Sequence, residues 1–329
     1  MTDEAEGTER DRGSTWFSWL FGIAVLATLV AVVERRSEGE EFARQLEQAE
    51  PGFVWLALAL QLGTYVADAA IFQGVLSRAG HRERLSSFVP LGLAKLFMDQ
   101  AIPSGGISGT MLVIRALDRR GVPHAVVSAA VLVDLLAHYV AHVIVTASAL
   151  VVLASLGRLL PVVLVPSAMF GALAIFVPSL LVYLHRRGAA PLPRLVARLP
   201  IQGFLRAIAG ARPDLVASLP LLARSTGLHL AILALDGLTL WAMLEAVGEH
   251  PTVAPVVASY VLAQITRIVG FVPGGLGPFE AASVALLRLV GTPLASALTA
   301  TLLYRGLSFF LPLVPGLLFA HREGGRRPG

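Results

Sequence analysis

The sequence predicts an all-α integral membrane protein: an inverted-topology repeat with two opposed re-entrant helical hairpins and about six full spans. Three observations lead there. Mean hydropathy is +0.72 and only 15% of residues are charged, where a soluble domain carries about a quarter. Long apolar runs recur along all 329 residues. Proline followed by glycines then interrupts two of the apolar regions, in "FMDQAIPSGGISGTMLVIRAL" (97–117) and "RIVGFVPGGLGPFEAAS" (267–283).

The elements follow in order. Residues 1–15 are polar and charged, and are expected to form a disordered cytoplasmic N-terminus. The run 16–33 is too long for a signal-peptide core and no small-residue cleavage site follows it, so it reads as a retained first span. Further spans are expected at 53–76, 126–153, 160–184, 228–247 and 294–320, within a membrane domain over 16–320. Between them lie the broken segments 87–117 and 252–290. Arms of 15 and 12 residues in the first reach roughly 18–23 Å, short of a hydrocarbon core of about 30 Å. Each broken segment is therefore read as a hairpin that returns to its own side.

Loop charges set the orientation. Arg186, Arg187, Arg194, Arg198, Arg206 and Arg212 place the linker 185–220 in the cytoplasm, and Arg322, Arg326 and Arg327 do the same for the tail 321–329. The loop 245–251 has no Lys or Arg and falls outside. Both termini are then cytoplasmic, in a multi-pass protein of the cell membrane. The chain has no cysteine, which excludes disulfides and thiol chemistry and makes single-cysteine labelling clean. A cysteine at Ala189 should react with impermeant reagent only from the cytoplasm, and one at Glu249 only from outside. Labelling of both from one side would refute the inverted arrangement.

The repeat halves, about 52–155 and 221–320, share an order of landmarks. Asp68 precedes Gly80 by 12 positions, as Asp236 precedes Gly248, and the breaks follow at Pro103 and Pro273. Arg305 is assigned to the slot that Asp134 holds in the first half. Two stretches read as interfacial helices: 40–49 with Phe42 and Leu46, and 195–210 with Leu199, Phe204, Leu205 and Ile208 among arginines.

Broken backbone at membrane depth is tolerated where it lines a cavity or is buried in protein. A helix restarting after glycines offers unpaired N–H groups and partial positive charge. Gly105, Gly106, Gly274, Gly275 and Gly277 are therefore expected to cradle an anion, with Arg115, Arg267 and Arg305 as countercharges. Intramembrane charges cost about 2.5–3.5 kcal/mol each on insertion scales, so Asp68, Asp236 and Glu280 are candidates for proton coupling or ion pairing. Asp134, His138 and His142, four apart on one helix face, form the rival reading, an intramembrane metalloenzyme site. A third reading is a non-transporting subunit of a lipid-modifying or glycosyl-transfer complex. No serine elbow, Walker loop or HExxH motif is present. An enzyme, a resident cofactor and nucleic-acid binding are not expected.

Taken together, "IPSGGISGTMLVIRAL", "VPGGLGPFE" and the late "LLYRGLSFFLPLVPG" resemble the flippase-like transmembrane domain of the lysylphosphatidylglycerol synthase family. Pro273, Gly274, Gly275, Gly277 and Glu280 fall on its most specific element. Many relatives carry a glutamate in the first motif where this chain has Ser108–Gly109. No aminoacyltransferase sequence follows before Gly329. The resemblance thus implies the lipid-translocating half without lipid aminoacylation. It would act on an anionic phospholipid or a polyprenyl-phosphate-linked headgroup, alone, as a homo-oligomer or with a lipid-modifying enzyme.

Overall fold

A computed structural model describes residues 44–45, 47, 49–102, 104, 106–187, 204–205, 208, 210–269 and 275–325. Among these the chain is helical throughout, with no strand. The first span, at 16–33, and the N-terminal 15 residues lie outside the described residues. So do Pro103, Gly105, Pro273, Gly274, Phe42 and Leu46.

Helix α1 (Pro51–Arg78) opens on a proline, whose fixed φ suits the first helical turn. Two short helices follow, α2 (Val89–Ala101) and α3 (Ile107–Arg119). At 13 residues each they are about 20 Å long, too short to cross. Helix α4 (His124–Ser155) and α5 (Pro161–Arg187) are long and apolar, and α6 is a single turn (Pro213–Val216). Helix α7 (Leu219–Ala246) begins nine residues before the expected start at 228, because Pro220 sits in its first turn and opens the helix earlier. Then come α8 (Val253–Val269) and α9 (Pro278–Leu289). Helix α10 (Leu294–Arg305) runs through a π turn (Gly306–Phe310) into α11 (Leu311–Gly325).

Among the described residues, five helices are long and apolar enough to cross a membrane: α1, α4, α5, α7 and the continuous stretch Leu294–His321. They match the five expected spans that fall among the described residues. Large apolar side chains such as Val162 and Ile175, both 72% exposed, coat α5 as lipid contact requires. The protein is thus an all-α, multi-pass membrane protein.

The two halves repeat in detail. Gly80, Gly106 and Gly121 take positive φ, and so do Gly248, Gly277 and Gly291, which follow them by 168, 171 and 170 positions. Each pair ends or starts the same kind of element. Helices α1 and α7 pack against each other, and each half's broken arm docks on the other half's last long element: α2 on α11, α8 on α4. The interlock is close. A Cβ on Gly316 would lie 2.6 Å from the Leu93 carbonyl oxygen, so only glycine lets α11 approach α2 this far.

The basic 195–210 segment departs from expectation where it is described. Phe204, Leu205 and Ile208 are buried against Val126, Val127, Leu181 and Leu184. Burial against protein, not a membrane surface, explains their apolar spacing.

Candidate functional site

A polar cavity of about 140 Å3 lies between the two halves, well above the roughly 10–15 Å3 that admits one water. Its first-half wall carries a helical stripe on α1, namely Gln61, Thr64, Tyr65 and Asp68, facing Lys95 and Asp99 on α2. The second half contributes Asp236, Arg267, Tyr304 and Ser308. Residues three and four apart on a helix share a face, which is why so many polar groups from few helices converge here.

On the first-half wall, Lys95 Nζ lies 3.3 Å from Asp134 Oδ2 and 3.6 Å from Asp68 Oδ1. Asp134 Oδ1 is 2.9 Å from His229 Nε2, which ties the wall to helix α7 of the other half. On the second-half wall, Tyr260 donates to Asp236 Oδ2 at 2.9 Å. The Tyr260 hydroxyl accepts from Gln264 Nε2 and from Tyr304. Arg267 donates to Gln264 Oε1 at 3.1 Å. Arg267 is thereby held at the cavity edge by a relay of neutral groups.

The expected glycine cradle is not open among the described residues. At the start of α3, Ser108 N–H donates to Ser104 Oγ (3.0 Å) and Gly109 N–H to Asp99 Oδ1 (2.8 Å). At the start of α9, Gly277 N–H donates to Glu280 Oε2 at 2.6 Å. A nearby carboxylate already complements each helix N-terminus, so these donors are not spare. In the first half Asp99 performs this service from the facing arm, where Glu280 does it from within α9. Gly106 and Gly277 supply the positive φ from which each helix restarts. A Cβ on Gly275 would run into the Arg267 side chain, so Gly275 makes room for that arginine. Gly105 and Gly274 lie outside the described residues.

Of the expected countercharges, only Arg267 lines the cavity. Arg305 is 2% exposed and its Nε sits 2.6 Å from Glu280 Oε1, itself 1% exposed. Its guanidinium lies over Phe279 and Phe309. Arg305 and Glu280 therefore form a buried ion pair away from the cavity. Arg115 is exposed on the surface of α3. Asp68 and Asp236, in contrast, both reach the cavity.

The rival metal reading does not assemble. The His138 and His142 rings are 4.1 Å apart and tilted against each other, and His142 Nδ1 is 3.0 Å from the His138 carbonyl oxygen. Asp134 is engaged by Lys95 and His229. Among the described residues no group of three or more His, Asp or Glu is arranged to hold a metal ion.

Sequence reading passed over Gln61, Tyr65, Gln100, Tyr260 and Tyr304, and left Lys95 and Asp99 unassigned. The signal was present. Positions 61, 64, 65 and 68 make one polar stripe along an otherwise apolar helix, as do 260, 264 and 267.

A second cavity, of about 270 Å3, is apolar and lined by Val54, Met243, Leu302, Leu303 and Leu307. The π turn borders both cavities: Leu307 lines the apolar one and the next residue, Ser308, the polar one.

Comparison with known proteins supplies the family. Residues 19–316 match the family model described as the lysylphosphatidylglycerol synthase TM region. A phosphatidylglycerol lysyltransferase of Staphylococcus haemolyticus (strain JCSC1435) is 28% identical over 116 residues, covering 35% of this chain and 12% of that protein. That of Staphylococcus aureus (strain COL) is 29% identical over 79 residues, 24% of this chain and 9% of its own. The aligned stretch is thus about a tenth of each relative. What is matched over nearly the whole chain is the membrane region, and the chain belongs to the lysylphosphatidylglycerol synthase transmembrane-region family.

Proposed function

We propose that the protein binds the anionic headgroup of a membrane lipid in the polar cavity and carries it across the cell membrane as a flippase, without itself modifying the lipid. The observation that carries this reading is the pairing of the two cavities. A polar chamber with Lys95 on one wall and Arg267 on the other has Ser308 of the π turn in its lining, and an apolar chamber has the neighbouring Leu307, an arrangement that suits an amphiphile with a charged head and an alkyl tail. Both cations are suited to a phosphate oxygen, Arg267 by its two-pronged fork and Lys95 as a point charge. Membership of a family whose relatives include phosphatidylglycerol lysyltransferases supports a phospholipid or a similar lipid phosphate as the cargo. The repeat supports transport, because inverted halves around a midplane site can rock alternately open to either side. The two broken arms would then be re-entrant from opposite faces.

Native mass spectrometry of the purified protein tests the reading. The wild type should retain an anionic phospholipid. Arg267→Gln should weaken that retention by about 1.5–3 kcal/mol, the range for a charged hydrogen bond, while Arg158→Gln on an exposed loop leaves it intact. Equal retention of zwitterionic and anionic lipid, unaffected by Arg267→Gln, would refute it.

A further inference from the structure

The end of the polar cavity around Asp236 gathers acceptors from both halves. Gln61 Oε1, Gln100 Oε1, Asp236 Oδ1 and Ser308 Oγ are buried and have no hydrogen-bond partner among the described residues. Gln61 and Gln100 are each only 3% exposed, and all four residues line the same cavity. Native proteins leave few such atoms unpaired, so a cluster of them calls for an explanation.

Hydrogen bonds favour one orientation for each amide. The Thr64 hydroxyl donates to the Gln61 carbonyl at 2.7 Å, so its oxygen must accept from Gln61 Nε2, 3.1 Å away. Gln100 Nε2 faces the Ser308 carbonyl at 3.4 Å, a group that only accepts. Both amide nitrogens are thus engaged, and both Oε1 atoms are left for the cavity.

The backbone adds to the excess. Pro312 has no N–H, so it cannot serve the carbonyl four residues back, Ser308, in an α pattern, nor the one five back, Leu307, in the π pattern. Those two carbonyls instead meet the Gln100 amide and the Tyr65 hydroxyl, each at a long 3.4 Å. Backbone carbonyls at interruptions of the α pattern, beside a carboxylate, are what membrane transporters use to hold a coupling cation.

Charge points the same way. Among the described residues the cavity is lined by Asp68, Asp99 and Asp236 against Lys95 and Arg267, one negative charge in excess when all are ionised. Asp134 and His229 stand behind Lys95. The repeat makes the asymmetry plain. Asp68 has the Lys95 ammonium at 3.6 Å, whereas the matching stretch for Lys95 in the second half, 263–266, is Ala-Gln-Ile-Thr with no cation. Arg267 donates a hydrogen bond to Gln264.

We propose that Asp236, Gln61, Gln100 and Ser308, with the carbonyls of the π turn, bind a monovalent metal cation, Na+ or K+, which stands beside Asp236 as Lys95 stands beside Asp68. One carboxylate among neutral oxygens suits a single charge better than Mg2+ or Ca2+, which draw on more carboxylates or retained water. The site goes beyond the lipid reading and is tested without any lipid transport.

The full chain, purified in detergent at fixed ionic strength with choline chloride as the filler, is incubated with radiolabelled Na+ or with radiolabelled Rb+ as the K+ stand-in. The expected result is saturable binding of at least one of them, with the preference naming the ion. Asp236→Asn and Gln61→Leu weaken it roughly tenfold or more, as loss of a charge-assisted ligand contact does, while Asp118→Asn in the exposed last turn of α3 leaves it unchanged. Should the α1 and α7 variants fail to fold, Gln100→Leu on α2 gives the same reading from a different helix. No saturable binding of either ion overturns the proposal. So does binding that Asp236→Asn and Gln100→Leu leave intact, or a thermal stability that follows pH and ignores Na+ and K+.

Discussion

Arg305→Met will destabilise the protein by about 3–5 kcal/mol, because it leaves the Glu280 carboxylate buried without a partner. The pair is 2.6 Å long, and both residues are almost wholly enclosed. Glu280 carries a second duty as the acceptor for Gly277 N–H, so an uncompensated charge there loosens the start of α9 as well. Arg305 also covers Phe279 and Phe309, and methionine replaces only part of that contact. Arg305→Met combined with Glu280→Gln should recover most of the loss, since a neutral amide still accepts from Gly277. Thermal unfolding in detergent reads both variants. A stable, normally folded Arg305→Met protein with weakened lipid retention would return Arg305 to the role of a headgroup ligand.

Lys95→Gln should have its largest effect on transport. It removes the ammonium between Asp68 and Asp134 and one of the two cations that face the cavity. Asp134 keeps His229 at 2.9 Å, and Asp68 is partly exposed, with 25% of its side chain accessible. The fold therefore tolerates the change far better than it tolerates loss of Arg305. Movement of an anionic lipid should fall roughly 10- to 100-fold, the equivalent of one charged hydrogen bond of about 1.5–3 kcal/mol. Unchanged movement in a well-folded Lys95→Gln protein would remove Lys95 from the site.

Much of the fold could be read from residues because its punctuation is glycine and proline. Pro51, Pro123, Pro278 and Pro293 open or precede helices, and the positive-φ glycines mark the turns between them. Apolar length then separated spans from half-spans. The site was harder to read, because charge alone does not say which way a side chain points. Arg305 shows the difficulty. Counting eleven residues from Pro123 reaches Asp134, and eleven from Pro293 reaches Tyr304, not Arg305. One residue is about 100° of helix rotation. Tyr304 therefore faces the cavity, while Arg305 turns toward Glu280. The N–H groups engaged at the starts of α3 and α9 were hidden for a related reason. They were counted as free, yet at α3 Asp99 and Ser104 stand close enough to take them, and no sequence period reveals that contact. The polar stripe on α1 was the clue that helical spacing did offer, and it leads straight to the cavity wall.

Proteoliposomes containing the purified chain and a headgroup-labelled phosphatidylglycerol give the most direct test of the central claim, that a lipid headgroup passes through the cavity between the two halves. The rate at which labelled lipid becomes accessible on the far leaflet is measured for the wild type, Lys95→Gln and Arg267→Gln, with thermal unfolding as the check on folding. The prediction is transfer well above protein-free vesicles for the wild type, and loss of most of that excess in both folded variants. Transfer no faster than in protein-free vesicles, or wild-type rates in both variants, would contradict it.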